Sequence, residues 1–465
     1  MGWDLFMRVL NRTVAVAAVS MAALLAAGSA QASSFYIRTG QSAEGLGMQF
    51  AGAAAGGVGL GSIGWNPATI TMFPGRNSQW NASYLRPQAE YDLLFTNVSA
   101  NPASPLFGTP IGSGEIGGNG AFVPASYSNW QLTDRLWIGL STGAPFGLRS
   151  KPDNFNFAGQ TYGRSAKVST INVSPMAGYK VTDWLSIGAA LQVQYIKVAL
   201  RQAISPRPFA PNLNLEGDAI ELGYRFGATI TPWQGGTIGL GYRSATFNEL
   251  EGHVESALPL LPTSAGAIFF GQNRLKAKLN LPEVVSVGFS QQLGPQWQVH
   301  LGFEYENWSR FKRVPFILER TGLPFSSANF VYDDSFYISA GVEYAWNPNL
   351  TLRAGISYEW SAVNDRVRQI LIADNDRLGL SIGASYKWNE KLSIDASYAH
   401  YFIKDAPTAI APAGSIFNPA GNPAFNNIVF VGEAEPTLDV FSVALTYRWD
   451  NPKVAIPAEP IVRKY

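Results

Sequence analysis

Thr351 to Trp360 alternates without a break, with Leu352, Ala354, Ile356, Tyr358 and Trp360 on one parity and Thr351, Arg353, Gly355, Ser357 and Glu359 on the other. A period of two is that of a pleated strand, so one face must meet an apolar medium and the other a polar one. The stripe returns over Asp376 to Asn389, where Leu378, Leu380, Ile382, Ala384, Tyr386 and Trp388 oppose Gly379, Ser381, Gly383, Ser385 and Lys387. Ile220 to Ile230, Trp297 to Tyr305 and Phe441 to Trp449 follow the same pattern. From Asn77 onward the unit is an alternating stretch, a short polar turn, another alternating stretch and a longer loop.

A soluble sandwich also alternates, but its apolar faces meet each other and are dominated by aliphatic residues. Here aromatics gather at the ends of the stripes: Trp137, Trp184, Trp297, Trp346, Trp360, Trp388, Trp449, Tyr195, Tyr305, Tyr344 and Tyr358. That placement predicts girdles at two lipid–water interfaces. Many stretches reach ten residues, against roughly 5–6 in globular sheets. Short turns, as at Thr182-Asp183-Trp184 and Gly294-Pro295-Gln296, alternate with long loops near 87–118, 147–165, 202–215, 251–273, 311–330, 363–375 and 406–436. Short on one side and long on the other is the asymmetry of a bacterial outer-membrane barrel, and the stretches number about 14, an even count. Closure also leaves no unpaired backbone edge in lipid. The expected fold is all-β, a transmembrane antiparallel β-barrel.

The N-terminus supports export. Arg8 and Arg12 precede an apolar run from Val14 to Ala27, and Ala30-Gln31-Ala32 precedes Ser33, the layout of a cleavable signal over residues 1–32. No apolar run of 18 residues follows it, so any later membrane residence must use strands. Zero cysteines exclude disulfides and thiolate chemistry, and a net charge of +1 with no basic arm excludes a nucleic-acid footprint.

Other motifs carry less. Gly59-Leu60-Gly61-Ser62-Ile63-Gly64 spells a dinucleotide fingerprint, but no strand precedes it and Pro67 follows closely, so packed flexible backbone is the better reading. His253, His300 and His400 share no ligand spacing, which predicts no metal site, and no cofactor is expected. No nucleophile elbow appears, so the chain is expected not to be an enzyme. The polar parities carry Arg225, Arg243, Arg353, Lys387 and Arg448 against Glu221, Glu304, Glu306, Glu343, Glu359 and Asp395. Mixed signs favour mutual pairing inside a filled lumen over an ion-selective ring, with a minority left to hold a carboxylate head group. Between Glu251 and Asn273, Leu258, Leu260, Leu261, Ile268, Phe269 and Phe270 form an apolar stretch, a candidate surface for capturing a hydrophobic substrate.

Ahead of the first stripe stands GWNPATITMFPG, Gly64 to Gly75, broken by Pro67 and Pro74. Its Trp65-Asn66-Pro67-Ala68 and Ile70-Thr71-Met72-Phe73 resemble the FadL family of outer-membrane transporters of long-chain fatty acids and other hydrophobic compounds. So do Ala144-Pro145-Phe146-Gly147-Leu148, Leu281-Pro282-Glu283, Asn307-Trp308-Ser309-Arg310-Phe311, Leu352-Arg353-Ala354-Gly355 and Asp374-Asn375-Asp376-Arg377, in that order. Beyond the signal peptide at 1–32, the resemblance implies a hatch folded into the lumen at 33–76 and a barrel at 77–449; the tail at 450–465 departs from the family, whose members commonly stop at the final aromatic of the last strand. It also implies that Asn66, Pro67 and Ala68 pack beside an inward kink of the third strand at Gly143, Ala144, Pro145, Phe146 and Gly147. Independently, Pro145 cannot donate to a ladder and its flanking glycines permit a bend, so pairing should lapse there.

The expected function is passive outer-membrane transport of hydrophobic molecules, long-chain fatty acids or related hydrocarbons. The steps are capture on the loops, a pocket in the lumen, a shift of the hatch and lateral exit at the kink. A general aqueous porin and an outer-membrane lipid hydrolase are the competing readings. Expected partners are the hydrophobic small molecule, outer-membrane lipid and the barrel-assembly machinery, with the chain acting as a monomer and binding no nucleic acid.

Overall fold

The computed structural model describes residues 36–99, 101–108, 114–117, 120–256 and 271–450. Within them 14 antiparallel strands close into a barrel. They are β1 (Arg76–Thr96), β2 (Ala121–Gln131), β3 (Leu136–Gly143, resuming at Gly147–Pro152), β4 (Ser165–Lys180), β5 (Leu185–Ala203), β6 (Asn212–Trp233) and β7 (Gly236–Arg243, resuming at Thr246–Ser256). There follow β8 (Gly271–Leu281, then Val284–Leu293), β9 (Trp297–Glu306, then Arg313–Leu318), β10 (Pro324–Asn329, then Ser335–Ala345), β11 (Leu350–Trp360), β12 (Arg377–Lys387), β13 (Leu392–Ile403, then Ala406–Ile410) and β14 (Phe430–Arg448). Each strand pairs with its neighbours in sequence, and β14 returns to β1 from Asn77↔Arg448 to Thr96↔Phe430, which closes the wall.

The alternation sorts as the period requires. Leu378, Leu380, Ile382, Tyr386 and Trp388 of β12 point outward, and Trp346 and Trp388 are exposed at the short-turn end. Ring pairs such as Trp297–Tyr344, with centroids 4.5 Å apart, build the girdle across strands. Trp137 departs from the expected girdle: it is 3% exposed and turns inward, where its Nε1 donates to Phe73 O at 3.1 Å. Interior hydrogen bonding decides its direction.

Several stretches expected to be loop are strand. Thr246–Ser256 pairs with Gly271–Leu281, Leu275 stands opposite Leu318, and Arg313 opposite Asn329. The wall thus continues above the membrane-level strands, with Leu213, Leu215, Val254, Leu275 and Leu318 forming a cluster of their own. Residues 1–35, 257–270 and 451–465 lie outside the described residues, so the signal, the core of the apolar loop and most of the tail do too.

Residues 36–75 fold into the lumen. A short helix α1 (Ala43–Leu46) is capped by Ser42, whose Oγ accepts from Gly45 N at 3.1 Å. Three 3₁₀ turns follow, Ala53–Ala55, Gly59–Gly64 and Pro67–Met72, the last opened by Pro67 at its first position. The dinucleotide-like glycines are therefore a 3₁₀ turn packed inside the wall. Small inward residues make room for this backbone: a Cβ on Gly239 would stand 1.8 Å from Ala54 O, and one on Gly355 2.3 Å from Met48 C. The Gly and Ser parity of the strands is the bed of the hatch.

Candidate functional site

Three features of the lumen combine: a cavity, a window in the wall and the hatch between them. The cavity lies in the outer half of the barrel and encloses about 480 Å³. Leu148, Val168, Leu250, Leu281, Phe311 and Ile370 line it, and the exposed Arg201 and Arg313 stand on its rim. Behind its lining residue Phe311 stands Trp308, fully buried in the 3₁₀ turn Trp308–Arg310 that interrupts β9. Trp308 packs edge-on to Phe311 and Phe146, with centroids 5.7 and 6.2 Å away.

The window is at β3. Its first piece ends at Gly143, opposite Asn172, and the second resumes at Gly147, opposite Ser169, so three residues bulge past two on β4. On the other side β2 pairs with β3 only from Ser126↔Thr142 to Gln131↔Trp137. Residues 121–125 of β2 pair with β1 alone. Above the gap, Gly114–Gly117 pairs with Glu90 and Tyr91 of β1 and, through Ile116 and Gly117, with Pro152 and Lys151 of β3. The wall therefore has a framed opening at Ala144-Pro145-Phe146.

Backbone groups freed by the bend are taken up from inside. Ile37 N donates to Pro145 O at 2.7 Å, Gln41 Nε2 to Ala144 O at 2.9 Å, and Tyr36 bridges Phe146. Phe146 N and O bond Thr170 Oγ1 at 3.0 and 2.6 Å. These partners differ from the expected ones. The side chain of Asn66 is not among the hydrogen-bond partners of the bend, and Asn66, Pro67 and Ala68 lie against β4, β5, β6 and β7. A Cβ on Gly188 would be 2.5 Å from Ala68 N and Pro67 C, and one on Gly227 1.8 Å from Asn66 Oδ1. Asn66 commits its whole side chain to the hatch and the wall of β6: Oδ1 accepts from Ala68 N at 2.9 Å, and Nδ2 donates to Ala54 O and Ala228 O at 2.7 and 2.9 Å. With both amide hydrogens given to Ala54 O and Ala228 O, Asn66 has no donor left for the carbonyls of the bend. The N-terminal residues Tyr36, Ile37 and Gln41, which carry no motif, do that work instead.

Ion pairs pin the hatch. Arg38 Nε meets Glu304 at 2.7 Å and its Nη1 meets Glu359 at 3.1 Å, while Nη2 bonds Glu306. Its guanidinium also lies 3.8 Å from the centre of the Tyr337 ring. Glu44 of α1 meets Arg353 at 3.4 Å, and Arg353 also holds Glu343 at 3.0 Å. Glu304, Glu306, Glu359 and Arg353 of the mixed-sign polar parities thus pair with the hatch, and Arg353 also with Glu343 and Asp395 of the wall. Of the histidines, His300 Nδ1 contacts Ser290 Oγ at 2.8 Å and His400 Nδ1 contacts Asp439 at 2.8 Å. His253 lies on the outer piece of β7 opposite Arg274. Leu258, Leu260, Leu261, Ile268, Phe269 and Phe270 fall outside the described residues.

A barrel filled in this way is not an open aqueous channel; it is a cavity, a plug and a gap. The family model described as outer membrane protein transport protein (OMPP1/FadL/TodX) matches residues 23–427. The chain is 27% identical over 395 residues to the long-chain fatty acid transport protein of Escherichia coli O6:H1, covering 77% of this chain and 85% of that one. Its fold resembles the crystal structure of a Pseudomonas aeruginosa FadL homologue with a TM-score of 0.77 at 22% identity, covering 90% of this chain and 100% of the other. It also resembles the Ralstonia pickettii toluene transporter TbuX, with a TM-score of 0.62 at 17% identity over 88% of this chain and 99% of that one.

Proposed function

The chain belongs to the outer membrane transport protein family (OMPP1/FadL/TodX) and resides in the outer membrane as a β-barrel, and on that premise we propose that it carries long-chain fatty acids, or hydrocarbons of similar length, inward by passive diffusion. The observation that carries this reading is the cavity. Its volume of about 480 Å³ is roughly three times the ~150 Å³ of an engineered apolar cavity that holds one benzene. That room suits an extended chain better than a single aromatic ring. Apolar transfer supplies the affinity, at roughly 25 cal/mol per Å² removed from water.

The route follows from the same physics. A molecule held by apolar contact gains nothing by entering an aqueous periplasm and gains by sliding into lipid. The window at Gly143, Ala144, Pro145, Phe146 and Gly147 supports a lateral exit, opened when Tyr36–Gln41 withdraws from the bend. Capture on the apolar loop around Leu258, Leu260, Leu261, Ile268, Phe269 and Phe270 is the entry step of the reading.

Mass spectrometry of molecules that co-purify with the protein, paired with uptake of labelled palmitate, tests it. Palmitate-length chains should co-purify, and Val168→Trp, which fills the cavity, should remove them and abolish uptake. Retention of bound chains and full uptake in that variant, with the barrel assembled, would overturn the cavity's role.

A further inference from the structure

Arg225 of β6 and Arg243 of β7 stand directly opposite each other, and both point into the lumen. Their Nε atoms share one acceptor, Gln192 Oε1, at 2.9 and 2.7 Å. Arg225 also donates to Gly64 O and Asn172 Oδ1, each at 3.0 Å. Among the described residues neither guanidinium forms an ion pair; Glu304 and Glu306 of nearby β9 are engaged by Arg38. Like charges directly opposite on two strands destabilise a sheet, and buried cations without a counter-charge are costlier still. Arg225 is only 4% exposed.

Between these arginines and the bend lies a cavity of about 20 Å³, bordered by Gly143, Pro145, Ser141 and Asn172. With the hatch in place that is room for one water, since about 10–15 Å³ suffices; Tyr36 and Gln41 of the hatch also border it, so their withdrawal from the bend enlarges it to admit a carboxylate. Two of its buried polar atoms have no partner, Asn172 Nδ2 and Ser141 Oγ. Asn172 is 2% exposed and Ser141 3%. Unspent amide and hydroxyl donors beside two guanidiniums describe a place waiting for an acceptor-only, negatively charged group. The site touches the larger cavity's wall: Arg243 lies 5.7 Å from the Phe146 ring, and Leu148, two residues further, lines the large cavity.

We propose that Arg225 and Arg243, with Asn172 and Ser141, hold the carboxylate of a fatty acid at the inner mouth of the lateral window. The inference rests on the transport reading above and adds a preference for acids over neutral chains. Guanidinium stays charged at any working pH, so a hydrocarbon of equal length gains nothing from the site. The head group rests on the arginines while the tail enters the membrane, and the site must bind weakly enough to release it.

The test compares labelled palmitate with n-hexadecane in cells carrying wild type, Arg243→Gln or Arg243→Lys, alongside a ¹³C-carboxyl palmitate titration of the purified proteins. Arg243→Gln should lower palmitate uptake at least tenfold with hexadecane uptake unchanged, and Arg243→Lys should restore part of it. The bound carboxyl should titrate at a higher pH in Arg243→Gln than in wild type, by one unit or more. Equal loss of both substrates, or an unchanged carboxyl titration, would make Arg243 a wall residue and overturn the site. Displacement of the palmitate head group by millimolar acetate would assign it to small free anions and overturn it equally. A wild type that carries neither substrate refutes the transport reading itself.

Discussion

Removing Arg38 should release the hatch and leave the barrel standing. Its side chain is 2% exposed and its three acidic partners are 6%, 1% and 4% exposed, so solvent screens the cluster little. Arg38→Ala leaves buried carboxylates without their cation, a loss of about 3–5 kcal/mol for a broken buried pair. At about 1.4 kcal/mol per tenfold, the equilibrium for lifting residues 36–75 off the wall should shift by about 150- to 4,000-fold. Amide hydrogen exchange reads this directly. Protection in the hatch should fall by that factor, while amides of β11 to β14 keep wild-type protection. Arg76→Ala is the control, since Arg76 meets Asp450 at 3.9 Å with both side chains exposed, a contact worth about 0–1 kcal/mol. Hatch protection changed less than tenfold in Arg38→Ala would refute the claim that this cluster is the latch.

Further outcomes follow from the same contacts. Gly188→Val places side-chain atoms against Pro67 and Ala68 and should displace the last hatch turn, read as new tryptic cleavage at Arg76; unchanged resistance would contradict that packing. Asn66→Ala loses a cap of about 1 kcal/mol and leaves two carbonyls bare at about 1–3 kcal/mol each, whereas Asn66→Ser keeps the cap acceptor alone. The alanine variant should therefore release the hatch at lower urea than the serine variant, and the reverse order would contradict the assigned roles. In planar bilayers the wild type should pass no steady large current, with brief openings appearing in Arg38→Ala; a steady large current from the wild type would contradict the filled lumen.

The barrel was legible because lipid imposes the pattern residue by residue: Leu378 to Trp388 and Leu352 to Trp360 alternate since each side chain faces lipid or lumen. The break at Gly143 to Gly147 was legible as well, from one proline between glycines. Where the hatch touches the wall was not, because that depends on contacts far apart in sequence. Asn66 meets Ala228, and the bend is met by Tyr36, Ile37 and Gln41, residues of ordinary type. Outer strand pieces such as Arg313–Leu318 and Pro324–Asn329 hid behind Pro315 and Pro324, which read as loop. Trp137 shows the limit of parity, since an indole at a strand end satisfies a girdle or a buried carbonyl equally well. The Arg225–Arg243 pairing lay beyond simple counting from the turn at Gln234-Gly235-Gly236, because the register of β6 against β7 shifts between Ile230 and Trp233.

The lateral route is the central claim, and closing the window tests it most directly. Gly143→Val with Pro145→Thr restores β-branched residues and a backbone donor at the bend, so β3 can pair with residues 121–125 of β2. Palmitate uptake is then measured in cells whose outer membranes contain the assembled variant. Uptake at the level of cells lacking the protein, with chains still co-purifying from the cavity, is the predicted result; uptake at the wild-type rate would contradict exit through the wall.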